Sequence, residues 1–221
     1  MLEDFTSVFL LAIASILSIT ISLSLFWNYQ IKHKIYLLFW GISIFVLSIF
    51  GMIVIYYDFT IMTERIVHII TTLIPLCLAL GIVYAIWEDR TFVYFFALYE
   101  VMTFSLLVFV ELIPIVDLRF SATLLTHVPA GLVIFFAPII GIITNKIELT
   151  SVFLSIGAVF IGSIGLLFAF VSIGHPILNY DEILTILPIA YTFSAVFFTL
   201  GMILPNKWDF SLLPSSIHYS I

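Results

Sequence analysis

The chain has 221 residues, 63% of them hydrophobic and only 9% charged, with a formal net charge of −6. A water-soluble domain carries about 25% charged residues, because Lys, Arg, Asp and Glu are what normally face water. A soluble fold is excluded, and a β-barrel with it, since a barrel needs segments of about ten residues with alternating polarity. The apolar runs here are unbroken and long, as in TSVFLLAIASILSITISLSLFW. Runs of about twenty apolar residues cross a bilayer core of about 30 Å as helices.

Seven spans are predicted in chain order, at about 6–27, 35–57, 66–87, 92–116, 120–144, 151–174 and 183–204. Together they make residues 1–221 one seven-helix transmembrane domain of a multi-pass protein of the cell membrane. The first run follows Glu3 and Asp4 rather than basic residues and is too long for a signal's apolar core, so it is expected to remain as a helix. The connections (NYQIKHK, DFTIMTER, EDRT, DLR, NKIEL, HPILNYDE) are short. Neighbours in sequence therefore run antiparallel in one bundle. No room is left for a catalytic or nucleic-acid-binding domain outside the membrane.

Lysine and arginine bias sets the orientation. The connections after spans 1, 3 and 5 and the tail hold Lys32, Lys34, Arg90, Lys146 and Lys207, against Arg65 and Arg119 on the other side. That places the N-terminus outside and the tail 205–221 in the cytoplasm. The outer connections then carry a net −5 and the inner ones +1, an acidic outer face that attracts cations or simply solvates loop ends. Trp27, Tyr29, Tyr36, Tyr56, Tyr57, Trp87, Tyr94 and Trp208, near the span ends, form the expected interfacial belt.

Span 3 opens ERIVHIITTLIP, with His68, Thr71, Thr72 and Pro75 on one face; Cys77, the only cysteine, reads as packing. Span 4 carries Glu100 and Glu111, eleven residues apart and so on one face, about 16 Å apart along the axis. Phe104 and Val108 are expected to fill the stripe between them. An acid in hydrocarbon costs about 2.5–3.5 kcal/mol on insertion scales. Both are therefore candidate proton-handling or cation-handling residues. The structural alternative is a neutral carboxyl bonded to a neighbouring helix, or, for Glu111, a side chain that reaches the headgroups.

Span 5 carries Thr123, His127 and Gly131 in one stripe, and Pro129 unpairs the carbonyl of Leu125. Counted from the span ends, His68 lies about 3–4 Å deep, Glu111 about 7–8 Å and His127 about 10 Å. Two imidazoles and a carboxylate then meet in the outer half if spans 3, 4 and 5 are neighbours. Three ligands suit that set: a b-type haem between His68 and His127 with Gly131 making room, a quinol bonded by a His and Glu111, or a metal. The depth mismatch of about 6 Å counts against haem. A packed histidine bonded to a Thr hydroxyl or to the freed carbonyl is the bland alternative. His33, His175 and His218 fall in connections or the tail.

Span 6 places Ala158, Gly162, Gly165 and Ala169 at small-residue spacing, which predicts close packing against a helix of this chain or of another membrane subunit. Span 7 has no lysine, so a retinal Schiff base is excluded. No CxxC, HExxH or glycine-rich phosphate loop is present. Two functions are therefore expected to compete. One is a subunit of a redox or proton-coupled membrane complex, with Glu100 and Glu111 handling protons beside His68 and His127. The other is a small-solute transporter, with Pro75 and Pro188 breaking corresponding helices of two three-helix repeats. A non-catalytic accessory subunit completes the set. A cytoplasm-dependent reporter fused after Ile221 is expected to be active; activity of a reporter that works only outside the cytoplasm would invert the orientation.

Overall fold

The computed structural model describes residues 5–57, 61, 64–87, 89–113, 116–172 and 177–204. Within these, the side chains of 116, 117, 168–172 and 180 are left out. The tail 205–221, with Lys207, Trp208 and His218, lies outside the described residues, as do His175 and the Ala169 side chain. Seven long helices follow in order: α1 Phe5–Lys32, α2 Ile35–Tyr57, α3 Arg65–Ile86, α4 Arg90–Leu112, α5 Val116–Ile143, α6 Val152–Ser172 and α7 Tyr180–Ile203. All seven are long and apolar enough to cross a membrane, and no strand occurs among the described residues. The seven-helix membrane fold expected from the sequence is present.

Local chemistry sets the ends. Asp89 caps α4 through the Thr91 amide, and Asn179 with Glu182 forms a reciprocal capping box at the start of α7. Asn145, at φ 55°, turns the chain out of α5, and the Lys146 amide bonds back to the Gly141 carbonyl at 2.8 Å. Span 4 was expected to continue to 116, whereas α4 stops at Leu112, just before Pro114. Proline disfavours helical backbone at the residue before it.

Every consecutive pair of helices is in contact, and two further seams, α3–α5 and α1–α7, close six helices into a ring. Helix α4 stands outside that ring, in the groove between α3 and α5. The main core confirms the division: it draws buried residues from α1, α2, α3, α5, α6 and α7 but none from α4. Leu107 and Val110 of α4 instead form a small cluster with Ala122.

Hydroxyl-to-carbonyl bonds stitch the ring. Ser48 of α2 donates to the Ser15 carbonyl of α1 (2.8 Å), and Ser43 of α2 to Ile74 of α3 (2.7 Å). Ser155 of α6 donates to Phe135 of α5 (2.7 Å), and Ser194 of α7 to Gly157 of α6 (2.9 Å). Thr192 of α7 reaches Leu10 of α1 (3.2 Å), and the Tyr191 hydroxyl donates to the Leu47 carbonyl of α2. Lipid offers no hydrogen bonds, so small hydroxylated residues that bring backbones together also satisfy themselves there.

Two expectations change. Pro75 and Pro188 lie inside continuous helices rather than breaking them, because the lost bond is local and the flanking turns hold the axis. The discontinuous helices of a repeat transporter are thus missing at these two positions. On α6, Gly162 and Gly165 face open space, with no atom within 4 Å of an added Cβ. The close approaches are made by Gly157 against Phe198 and by Gly201 against Leu154. An added Cβ at Gly201 would sit 2.8 Å from the Leu154 amide nitrogen, which is backbone and has little room to move. Gly201→Ala is expected to cost about 1–3 kcal/mol and to lower the thermal midpoint in detergent, while Gly162→Ala leaves it unchanged or raises it.

Candidate functional site

Helix α4 presents one buried stripe to the α3–α5 groove: Val93, Glu100, Thr103, Leu107, Val110 and Glu111. Both acids share that face, as their eleven-residue spacing requires. The residues between them are Thr103 and Leu107, however, not Phe104 and Val108, which are only partly buried. A groove narrower than the assumed stripe selects positions three and seven after Glu100 and leaves those at four and eight on its edge.

Glu111 occupies the last turn of α4 and is 2% exposed. Its Oε1 lies 2.6 Å from His68 Nδ1 of α3 and accepts from Arg119 Nε of α5 at 2.7 Å. Arg65 of α3 adds a longer bond, 3.4 Å, from Nη1 to the Glu111 carbonyl. The carboxyl does not reach toward headgroups; it turns inward and ties three helices. His68 and Arg119 remain open on one side, at 21% and 42% side-chain exposure, so the network has access to the surface. Arg119, a guanidinium at the wet end of α5, is a participant that sequence reasoning counted only as a loop charge. Its place eight residues after Glu111, across a short connection, was the available signal.

His127 stands beside His68, with ring centroids 6.0 Å apart and planes 13° from parallel. Its Nδ1 lies 3.1 Å from the Thr123 carbonyl of its own helix. The two histidines and Glu111 thus form one cluster across α3, α4 and α5. The depth mismatch inferred from span ends does not keep them apart. Counting assumed that helix ends lie on one plane, whereas the 28-residue α5 runs beside the 22-residue α3.

The Leu125 carbonyl freed by Pro129 is taken by neither histidine: the Tyr99 hydroxyl of α4 donates to it at 2.8 Å. Thr126 donates to the Thr103 carbonyl at 3.3 Å and to Ala122 in its own helix at 2.8 Å. These bonds close α4 onto α5 within a turn of His127. Gly131, one turn further on, faces open space. Among the described residues no group of three or more His, Cys, Asp and Glu is placed to hold a metal ion.

Glu100 is different. It is wholly buried, and neither carboxyl oxygen has a hydrogen-bond partner. The nearest polar side chain on its own helix, Thr103, spends its hydroxyl on the Tyr99 and Glu100 carbonyls (3.1 and 3.2 Å). Towards α3 the neighbourhood is apolar: Leu76, Cys77 and Leu80 pack with Phe96, Ala97 and Phe104.

The Tyr99 bond has a testable origin. Tyr99→Phe leaves the Leu125 carbonyl without a donor, an expected loss of about 1 kcal/mol. Pro129→Ala restores an amide hydrogen to that carbonyl. The loss from Tyr99→Phe should vanish in the Pro129→Ala background, measured as a double-mutant cycle in thermal unfolding.

No protein-family model, no curated protein and no solved structure matches the chain.

Proposed function

We propose that the protein is an integral membrane subunit of a proton-coupled complex, in which Glu100 takes up and releases the transferred proton. The single observation that carries this reading is the burial of both Glu100 oxygens without a partner. A carboxylate anion sealed away with no donor costs several kcal/mol. A side chain in that position holds a proton or a cation, and loses it only when a donor or water reaches it. Glu111 is placed differently, with His68 Nδ1 and Arg119 Nε both within hydrogen-bond distance of one oxygen.

The placement of α4 suits the role. It packs chiefly on α3 and α5 and, apart from the partly buried Phe96 at its edge, adds nothing to the main core. Small shifts of α4 therefore open the Glu100 environment without unpacking the ring. The His68–Glu111–Arg119 network, partly open to the surface, supplies proton acceptors and donors at one end of the same face. The buried hydroxyls of Thr72, Thr103 and Thr126 occupy α3, α4 and α5 between that end and Glu100. By the lysine and arginine count that end is the outer one, so protons enter from outside. Within this reading Glu111, His68 and His127 form the entry and Glu100 the coupled site. The narrower, proton-handling half of the sequence expectation thus rests on the chain's own residues.

In liposomes carrying the purified protein and a pH gradient, Glu100→Gln is expected to slow proton movement at least tenfold, on the order of what a positioned acid–base group contributes. Its helical circular dichroism should stay unchanged, since Gln offers comparable donors and acceptors. Infrared spectra should show a protonated-carboxyl band that is sensitive to deuterium and absent from the variant. Equal proton rates in the two proteins would remove Glu100 from the path.

A further inference from the structure

Leu76, Cys77 and Leu80 of α3 pack against Phe96, Ala97 and Phe104 of α4, which stand one turn before and one turn after Glu100. Cys77 is thereby set against the stretch of α4 that carries the buried carboxyl, and the two side chains lie within electrostatic reach of each other. Its thiol is buried and free, the only one in the chain. The hydroxyls around Glu100 are already spent. Tyr99 donates to the Leu125 carbonyl, Thr103 to the Tyr99 and Glu100 carbonyls, and Thr126 to the Ala122 and Thr103 carbonyls. Among the described residues no Lys, Arg or His forms an ion pair with Glu100.

We infer that Cys77 is a positioning residue for the proton site at Glu100: its S–H turns to the carboxylate when the proton leaves and turns away when it returns. The inference rests on the reading of Glu100 as an acid that releases its proton. A carboxylate only accepts hydrogen bonds, and a buried anion left without a donor is strongly disfavoured. Cys77 is the side chain of α3 that can supply one at this depth, since its neighbours Leu76 and Leu80 carry no polar hydrogen.

A thiol suits this duty better than a hydroxyl. Thr71 and Thr72, one to two turns earlier on α3, spend their hydroxyls on the Val67 and His68 carbonyls, the usual course for a hydroxyl inside a helix. An S–H is a weak donor, so it is not captured by its own backbone and does not trap the anion. The sulfur keeps its proton throughout; only the Glu100 proton comes and goes. Of the other titratable side chains on these helices, Tyr99 also lies within reach of Glu100. His68, Arg119 and His127 gather instead around Glu111.

The test uses the full-length protein in liposomes, with infrared spectra recorded across a pH titration. A single cysteine makes the S–H stretching band a reporter on Cys77 alone, assigned by its loss in Cys77→Ala. The band is expected to move to lower frequency over the pH range in which the Glu100 carboxyl band fades, and to stay fixed in Glu100→Gln. Cys77→Ala is expected to slow proton movement roughly threefold to tenfold, the equivalent of one ordinary hydrogen bond, with helical circular dichroism unchanged. Cys77→Ser, which keeps a donor without adding bulk, should run faster than Cys77→Ala; equal rates would reduce Cys77 to packing. An S–H band that stays fixed while the Glu100 carboxyl titrates overturns the role of Cys77 and leaves Glu100 as the proton site. Disappearance of that band over the same range means that the thiol itself ionises, and overturns the role equally. A Glu100 carboxyl that never titrates removes the proton site and the role of Cys77 with it.

Discussion

Lipid cannot donate or accept a hydrogen bond, and the arrangement of this bundle follows from that. Every polar group along the spans has to be answered by the protein itself. Many serines and threonines of the ring answer by donating to carbonyls of the next helix or of their own preceding turn. Tyr99 answers the one carbonyl that Pro129 leaves bare. Glu111 is answered by Arg119 and His68. A few buried hydroxyls, Ser18 and Thr199 among them, go without a partner, but Glu100 is the ionisable side chain that does so, with both oxygens.

The position of α4 makes the departure affordable. A ring helix such as α2 gives the core Leu37, Trp40, Ile44, Leu47 and Val54. Disturbing it would expose residues that are worth about 1.5–3 kcal/mol each when buried. Helix α4 buries Val93, Leu107 and Val110 outside that core and adds a few directed contacts: the Glu111 network at one end, Tyr99 and Thr126 in the middle. Directed bonds break and re-form singly, whereas a packed core moves as a unit. The acid proposed above to change its charge is carried on such a helix and not in the ring.

Much of this was legible in the sequence, for a physical reason. The spans agree with the helices within a few residues at most ends, because hydrocarbon length fixes their length. The common face of Glu100 and Glu111 follows from helical pitch alone. The meeting of His68, Glu111 and His127 was visible as a condition on helix neighbours, and it holds. What was not legible depends on lateral packing. Nothing local shows that α4 leaves the ring or that α3 touches α5 directly. Nothing local shows that Thr103 rather than Phe104 lines the groove. The small residues of α6 illustrate the same limit: their spacing predicts close packing, yet Gly157 of α6 and Gly201 of α7 make it and Gly162 and Gly165 do not.

The two carboxyls of α4 show how much a few ångströms of lateral placement decide. They share a helix and a face. One lies where α3 and α5 bring a histidine and an arginine from their solvent-near ends, and it becomes a three-helix tie. The other lies opposite Leu76, Cys77 and Leu80, where α3 offers at most a weak thiol donor and makes no bond to it. Arginine and histidine are tolerated near a helix end because their heads reach the interface, so a partner is cheap at Glu111 and costly at Glu100. Depth along the bundle, rather than residue type, therefore divides an acid with partners from one without.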